Sequence, residues 1–155
     1  MGDTRCRCPF ASIASCRRTC ARRRVARARL SLVTAADGRI YAIGGASKHN
    51  RTVKTVEVYD IRADSWSRAP SLCIARRGPG VALGLDGRLY AIGGYGATRG
   101  GPLTADTVVT VETYDPATRR WEEIAPIQAP AYNEIGAATG SDGRSTRCRA
   151  NLCDR

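Results

Sequence analysis

The chain has 155 residues, of which 43% are hydrophobic and only 6% aromatic, and it carries a formal net charge of +11. That length suits one ordinary domain, and no stretch approaches the roughly 20 apolar residues of a membrane span, so no membrane partner is expected. Residues 1–30 hold nine Arg against one Asp, residues 31–140 twelve Lys and Arg against eleven Asp and Glu, and residues 141–155 four Arg against two Asp. The body is nearly neutral, which argues against a nucleic-acid-binding protein. The run Arg17, Arg18, Arg22, Arg23, Arg24, Arg27 and Arg29 attracts polyanions only without sequence specificity.

Residues 1–25 form an Arg/Cys-rich arm that is expected to be disordered. Cys6, Cys8, Cys16 and Cys20 lack the paired spacing of a structural zinc site. Pro9 to Ser15 is too short and too polar for the core of a signal peptide. A soluble, cytoplasmic chain with reduced thiols is the expectation, although nothing in the sequence names the compartment.

The body repeats itself. Asp37-Gly38-Arg39-Ile40-Tyr41-Ala42-Ile43-Gly44-Gly45 returns 49 residues later as Asp86-Gly87-Arg88-Leu89-Tyr90-Ala91-Ile92-Gly93-Gly94. Val56-Glu57-Val58-Tyr59-Asp60 returns as Val111-Glu112-Thr113-Tyr114-Asp115, and Trp66 as Trp121, now at an offset of 55. The six extra residues fall in the loop after the glycine pair, which marks that loop as a surface connection. Leu30 to Ala35 and Val81 to Leu85 lead into the Asp-Gly steps, and the β-prone runs Arg39 to Ile43 and Arg88 to Ile92 follow them. This is a hairpin signal, with Asp-Gly supplying residues that accept positive φ. The glycine pair ends the second strand. Thr55 to Asp60 and Thr110 to Asp115 alternate as a third strand, and Ser65 to Arg68 and Arg120 to Ile124 supply a fourth, opened by Trp. Tyr59, Tyr114, Trp66 and Trp121 are read as packing groups, since each copy places them alike.

Four strands per unit at a period near 50 point to a radial array of sheets. Asp-Gly, Gly-Gly, Tyr-Asp and Trp in the same order twice resembles the kelch repeat. The resemblance implies an all-β fold, a partial kelch-type β-propeller of two four-stranded blades plus a stub, with disordered basic termini. The expected organisation is an arm over 1–25, repeat one over 26–70, repeat two over 71–126, the start of a third repeat over 127–144 and an atypical tail over 145–155. Kelch propellers usually have five to seven blades, so the remaining blades or self-association are expected as partners. An open array leaves sheet edges bare and marginally stable.

In the third repeat, Asp142-Gly143-Arg144 is followed by Ser145-Thr146-Arg147-Cys148 where the pattern demands Ile-Tyr-Ala-Ile. Arg-Ser-Thr-Arg-Cys can be written CGA-TCT-ACG-CGG-TGC. Read from the last base of the first codon, this becomes ATC-TAC-GCG-GTG, or Ile-Tyr-Ala-Val. The tail is therefore expected to be frameshifted.

The chain has one histidine, His49, so no His cluster or His-assisted nucleophile can be assembled. No catalytic, metal or cofactor-binding residue is assigned, and no cofactor is expected. Gly93, Gly94, Gly96 and Gly100 precede a strand rather than a helix, so they are read as strand termination and not as a phosphate cradle. In kelch propellers the connections between blades and the loops after the glycine pair share one rim that commonly holds the ligand. By that resemblance Arg27, Arg76, Arg77, Tyr132 and Asn133 in the connections join His49, Asn50, Arg51, Tyr95 and Arg99 in the loops as candidate partner-binding residues. Arg there suits a protein or acidic peptide ligand. The leading reading is an interaction module, or a truncated fragment of one, and not an enzyme. The alternatives are a fragment of a kelch-propeller enzyme similar to sugar epimerases or mutarotases, and a non-functional product of a frameshifted gene.

Overall fold

The two Asp-Gly steps each close a hairpin. Only the glycines take positive φ, +78° at Gly38 and +77° at Gly87. Asp37 and Asp86 work differently, each accepting a hydrogen bond through Oδ1 from the backbone N–H two residues on, at 3.0 Å from Arg39 and 3.1 Å from Arg88. The turn is further closed by Gly38 N–H on the Ala35 carbonyl and Gly87 N–H on that of Gly84. Two flanking strands are thereby brought antiparallel in a fixed register.

The computed structural model describes residues 24–96, 106–124, 126, 136–139, 145–149 and 152–154. Every regular element among them is a strand. The first sheet has the order β1 (Ser31–Thr34), β2 (Ile40–Ile43), β3 (Val56–Asp60) and β4 (Ser65–Ala69). Then come β5 (Arg76–Arg77), β6 (Gly80–Leu83), β7 (Leu89–Ile92), β8 (Tyr95–Gly96), β9 (Asp106–Thr107), β10 (Val111–Asp115) and β11 (Arg120–Ile124). Of these, β6-β7-β10-β11 build a second four-stranded sheet, whereas β5-β8-β9 build a small separate one. The fold is all-β, with two four-stranded antiparallel blades, each pairing its strands in chain order, and in the second blade β8 and β9 intervene between β7 and β10.

A third sheet follows from β12 (Gly136–Thr139), β13 (Ser145–Arg149) and β14 (Leu152–Asp154). Gly136 lies opposite Cys148 and Thr139 opposite Ser145, which is the pairing of Gly80 with Ile92 and Leu83 with Leu89 moved along the chain. The tail at 145–149 thus keeps the strand register of a repeat whose apolar pattern it has lost. This corrects the expected disorder of the carboxy-terminal end, because backbone N–H and C=O groups make the ladder whatever the side chains are. Most of the arm, residues 1–23, lies outside the described residues.

Cross-strand register assigns each side chain to a face. One face of the first blade carries Val33, Tyr41, Ile43, Val56, Val58 and Ala69, and the facing side of the second blade carries Val81, Leu83, Leu89, Ala91, Tyr114 and Trp121. These residues, with Leu72 and Cys73 from the connection, form one core. The Tyr41 and Tyr114 rings meet across it at 5.7 Å. Within each blade the Tyr-Trp pair is alike: Tyr59 and Trp66 lie 5.0 Å apart, Tyr114 and Trp121 5.2 Å. Their burial differs, since Trp121 is sealed between the blades while Trp66 is only half-buried.

Two outcomes follow for stability. Burial, with Tyr114 and Asp37 adding, pushes the Tyr41 phenol up to about 12, against roughly 10 in an unfolded chain. The fold holds this proton longer than the unfolded chain does, so stability is complete below about pH 10 and falls as the pH rises towards about 12. Tyr41→Phe should flatten that alkaline loss in urea melts taken across the range. Gly44 has φ +64°, and a Cβ there would collide with the backbone carbonyl oxygen of Arg76. Gly38 has φ +78° with nothing within 4 Å of such a Cβ. Gly38→Ala should therefore cost about 1–2 kcal/mol from backbone strain alone, and Gly44→Ala distinctly more, in the same melts.

Candidate functional site

The connection entering each blade is anchored by a buried ion pair. Arg27 Nη2 donates to Glu57 Oε2 at 2.7 Å, and Arg76 Nη2 to Glu112 Oε1 at 2.6 Å, with all four side chains inaccessible to solvent. The other guanidinium nitrogen satisfies strand ends: Arg27 Nη1 reaches the carbonyls of Gly44 and Thr55, and Arg76 Nη1 those of Gly93 and Thr110. Each carboxylate in turn accepts backbone N–H groups of the connection, those of Arg24 and Val25 at Glu57 and those of Cys73 and Ile74 at Glu112. One Arg and one Glu thus join the connection, the glycine pair and the third strand of the blade. Burial pulls the Arg76 guanidinium below its ordinary value, opposed by Glu112, but from so high a starting point that it stays charged.

This corrects the expected placement of Arg27 and Arg76 on a ligand-binding rim. Arg27 is 7% exposed and Arg76 0%, their Nη groups donate to partners within the chain, and their Nε atoms are buried. The signal was in the sequence: the two arginines and the two glutamates recur at the same repeat offsets as Gly-Gly and Tyr-Asp, so they belong to the framework that every copy needs.

The remaining described candidates lie at the end of the blades where the glycine loops and connections meet. The strand β5 pairs Arg77 with Tyr95, and Tyr95 with Thr107 of β9. In the first copy the bridges Ala28 to Ala46 and Ala46 to Thr52 stand in the same places. Arg77 and Tyr95 thus replace two alanines. The Arg77 guanidinium lies over the Tyr95 ring at 4.3 Å from its centroid, and its Nη1 donates to Asn50 Oδ1 at 2.8 Å. Asn50 comes from the other blade, on a turn where its φ is +57°, a conformation that Asn tolerates better than most residues. Three candidates therefore converge across the junction of the two blades. His49 and Arg51 flank Asn50 and are exposed. Arg99, Tyr132 and Asn133 lie outside the described residues.

Charge is distributed differently at the two ends of the blades, although the glycine loop of the second blade carries Asp106, opposite Gly96. Residues 44–55 and 70–79 contain Lys48, Arg51, Lys54, Arg76 and Arg77 but no Asp or Glu. At the opposite end Asp37, Gly38, Arg39, Asp60, Ile61 and Arg62 line a cavity of about 510 Å³. There the charges answer each other: Arg39 Nε lies 3.4 Å from Asp60, and Arg88 Nη2 lies 3.3 Å from Asp115 in the second copy. The N–H of Ala63, then that of Arg62 and the Arg39 guanidinium, hold the Asp60 carboxyl below its ordinary range against the opposing effect of desolvation. Among the described residues no group of three or more His, Cys, Asp or Glu is placed to hold a metal ion, and no helix is long and apolar enough to cross a membrane.

Two family models described as the Kelch motif match residues 27–72 and 76–128. The chain belongs to the kelch-repeat family. It is 29% identical over 109 residues, 70% of its length, to an F-box/kelch-repeat protein of Arabidopsis thaliana, of which it covers 26%. It is 37% identical over 97 residues, 61% of its length, to Kelch-like protein 25 of Xenopus tropicalis and 36% identical over 98 residues to that of Homo sapiens, covering 16% of each. The chain thus spans about a quarter or less of the length of these relatives.

Breaking one clamp tests its structural role. Glu112→Ala leaves a buried guanidinium without its counter-charge and should cost roughly 3–5 kcal/mol. The double change Arg76→Met with Glu112→Leu leaves no buried charge and should cost less than the single change, as read from urea midpoints.

Proposed function

We propose that the chain is a protein-interaction module that receives an acidic segment of a partner protein on the rim formed by Asn50, Arg77 and Tyr95. The observation that carries this reading is their convergence from two blades at an end of the fold whose loops 44–55 and 70–79 lack any carboxylate. Arg77 has five N–H donors and gives Asn50 a bond from one nitrogen, so donors remain for a partner carboxylate. Tyr95 holds the guanidinium in place through its ring face, which lowers the entropy lost on binding. His49 and Arg51 extend the surface. The names of the F-box/kelch-repeat and Kelch-like relatives place kelch repeats within larger proteins and are compatible with a module that contacts other proteins.

Titration with a fluorescent Glu-rich peptide, and with its Gln counterpart, tests the proposal. The Glu peptide should bind, weaken as salt is raised, and lose at least about tenfold in affinity, about 1.4 kcal/mol, on Arg77→Ala. Equal binding of the Gln peptide, or indifference to Arg77→Ala, would refute it.

A further inference from the structure

Each buried clamp ends with one hydrogen-bond donor and one acceptor left over. Arg27 directs four N–H groups, two from Nη1 to the carbonyls of Gly44 and Thr55 and two from Nη2 to Glu57 and, at 3.4 Å, the Ala42 carbonyl. Arg76 does the same, with Nη1 on the carbonyls of Gly93 and Thr110 and Nη2 on Glu112 and the Thr110 hydroxyl. A guanidinium has a further N–H, on Nε. In both copies that atom is buried and meets no acceptor of the chain.

The carboxylates show the complementary remainder. Glu57 accepts three hydrogen bonds, from the N–H groups of Arg24 and Val25 at Oε1 and from Arg27 at Oε2. Glu112 also accepts three, from Ile74 N–H and Arg76 at Oε1 and from Cys73 N–H at Oε2. An ionised carboxylate offers about four lone-pair sites, so one is left on each. Nε and Nη2 are bonded to the same carbon, so the spare donor lies beside the carboxylate that Nη2 holds.

Repetition makes this remainder a property of the clamp. The two copies place their last Nη2 proton differently, on Ala42 O in one and on Thr110 Oγ1 in the other, yet leave the same atom over. An ionised N–H without an acceptor is costly where all four side chains are closed to solvent. Whatever completes the clamp has to accept one hydrogen bond and donate one. A halide only accepts, and it adds a net charge to a neutral pair. A cation cannot accept. Water does both, and buried waters bridge polar groups of this kind.

We propose that each clamp is a binding site for one buried water, which accepts the Nε–H of the arginine and donates to the glutamate of the same pair. The site at Arg76 belongs to the packing of one blade on the next, since Arg76 Cγ lies 3.6 Å from the place that a Cβ on Gly44 would take. Both sites are closed to solvent, so the water is long-lived and leaves only when the connection opens.

The test uses the unaltered 155-residue chain, isotopically labelled, in chloride buffer. The Nε–H resonances of Arg27 and Arg76 are assigned through their side-chain carbons, with that of the exposed Arg62 as a reference. Both clamp protons should show cross-peaks at the water frequency with opposite signs in laboratory-frame and rotating-frame Overhauser spectra, the signature of a bound water. Arg62 should show peaks of like sign, which report exchange, or none. Clamp protons without a water peak, or with peaks of like sign, overturn the proposal. Replacing chloride by bromide should leave both resonances unmoved, and a shift would assign the place to a halide instead. Crystals of the same chain decide the second partner: a density peak should lie within about 3 Å of both Nε and a carboxylate oxygen in each clamp. A peak that touches Nε but no carboxylate, or no peak, refutes the bridge.

Discussion

The architecture depends on a charge pair placed where charge is most costly. A guanidinium and a carboxylate are both withdrawn from water at each blade entry, and the loss of hydration is offset only because both groups have several partners. Arg27 and Arg76 point their forks at carbonyls left over where the second and third strands end, and Glu57 and Glu112 collect N–H groups of an irregular connection. The backbone of such a connection cannot be buried without partners of this kind. The clamp therefore allows a loop to run through the interior, and it fixes the position from which the next blade starts.

With the connection fixed, the rest of the packing has little freedom. The glycine pair has to lie against the connection because Gly45 N–H donates to the Arg76 carbonyl at 2.8 Å and no side chain fits beside Gly44. The second sheet then starts beside the first, and Tyr114 and Trp121 reach the wall formed by Tyr41, Ile43 and Val56. Burial of the two rings contributes on the order of 2–3 kcal/mol each to that interface. The same clamp turns Arg77, the neighbour of Arg76, outwards onto β5, where Tyr95 and Asn50 meet it. Framework and rim are thus alternate residues of one short strand: one side chain is locked inside and the next is offered outside.

Repetition separates the two kinds of residue. Positions occupied identically in both copies, such as Arg27 and Arg76 or Glu57 and Glu112, serve the blade. Positions where the copies differ, such as Ala28 against Arg77 and Ala46 against Tyr95, change the rim without changing the backbone, which makes the same bridges in both. The third hairpin shows the converse, keeping the backbone register of the second blade at Gly136 to Thr139 and Ser145 to Cys148 while its side chains depart from the pattern.

The strands, their order and the turns were legible in the chain, because Asp-Gly, Gly-Gly and alternating apolar residues act locally through backbone conformation and period-two patterning. The membership of Asn50, Arg77 and Tyr95 in a rim was legible only as a group of loop residues. The recurrence of Arg27 as Arg76 marked which arginine of the adjacent pair Arg76-Arg77 belongs to the framework, but that it turns inwards was decided by the tertiary structure, since its partners are a carboxylate 36 residues away and carbonyls at the ends of two strands. The unequal burial of Trp66 and Trp121 was decided there as well. Their sequence surroundings match, and exposure is set by whether another sheet lies on top, a property no local run of residues can encode.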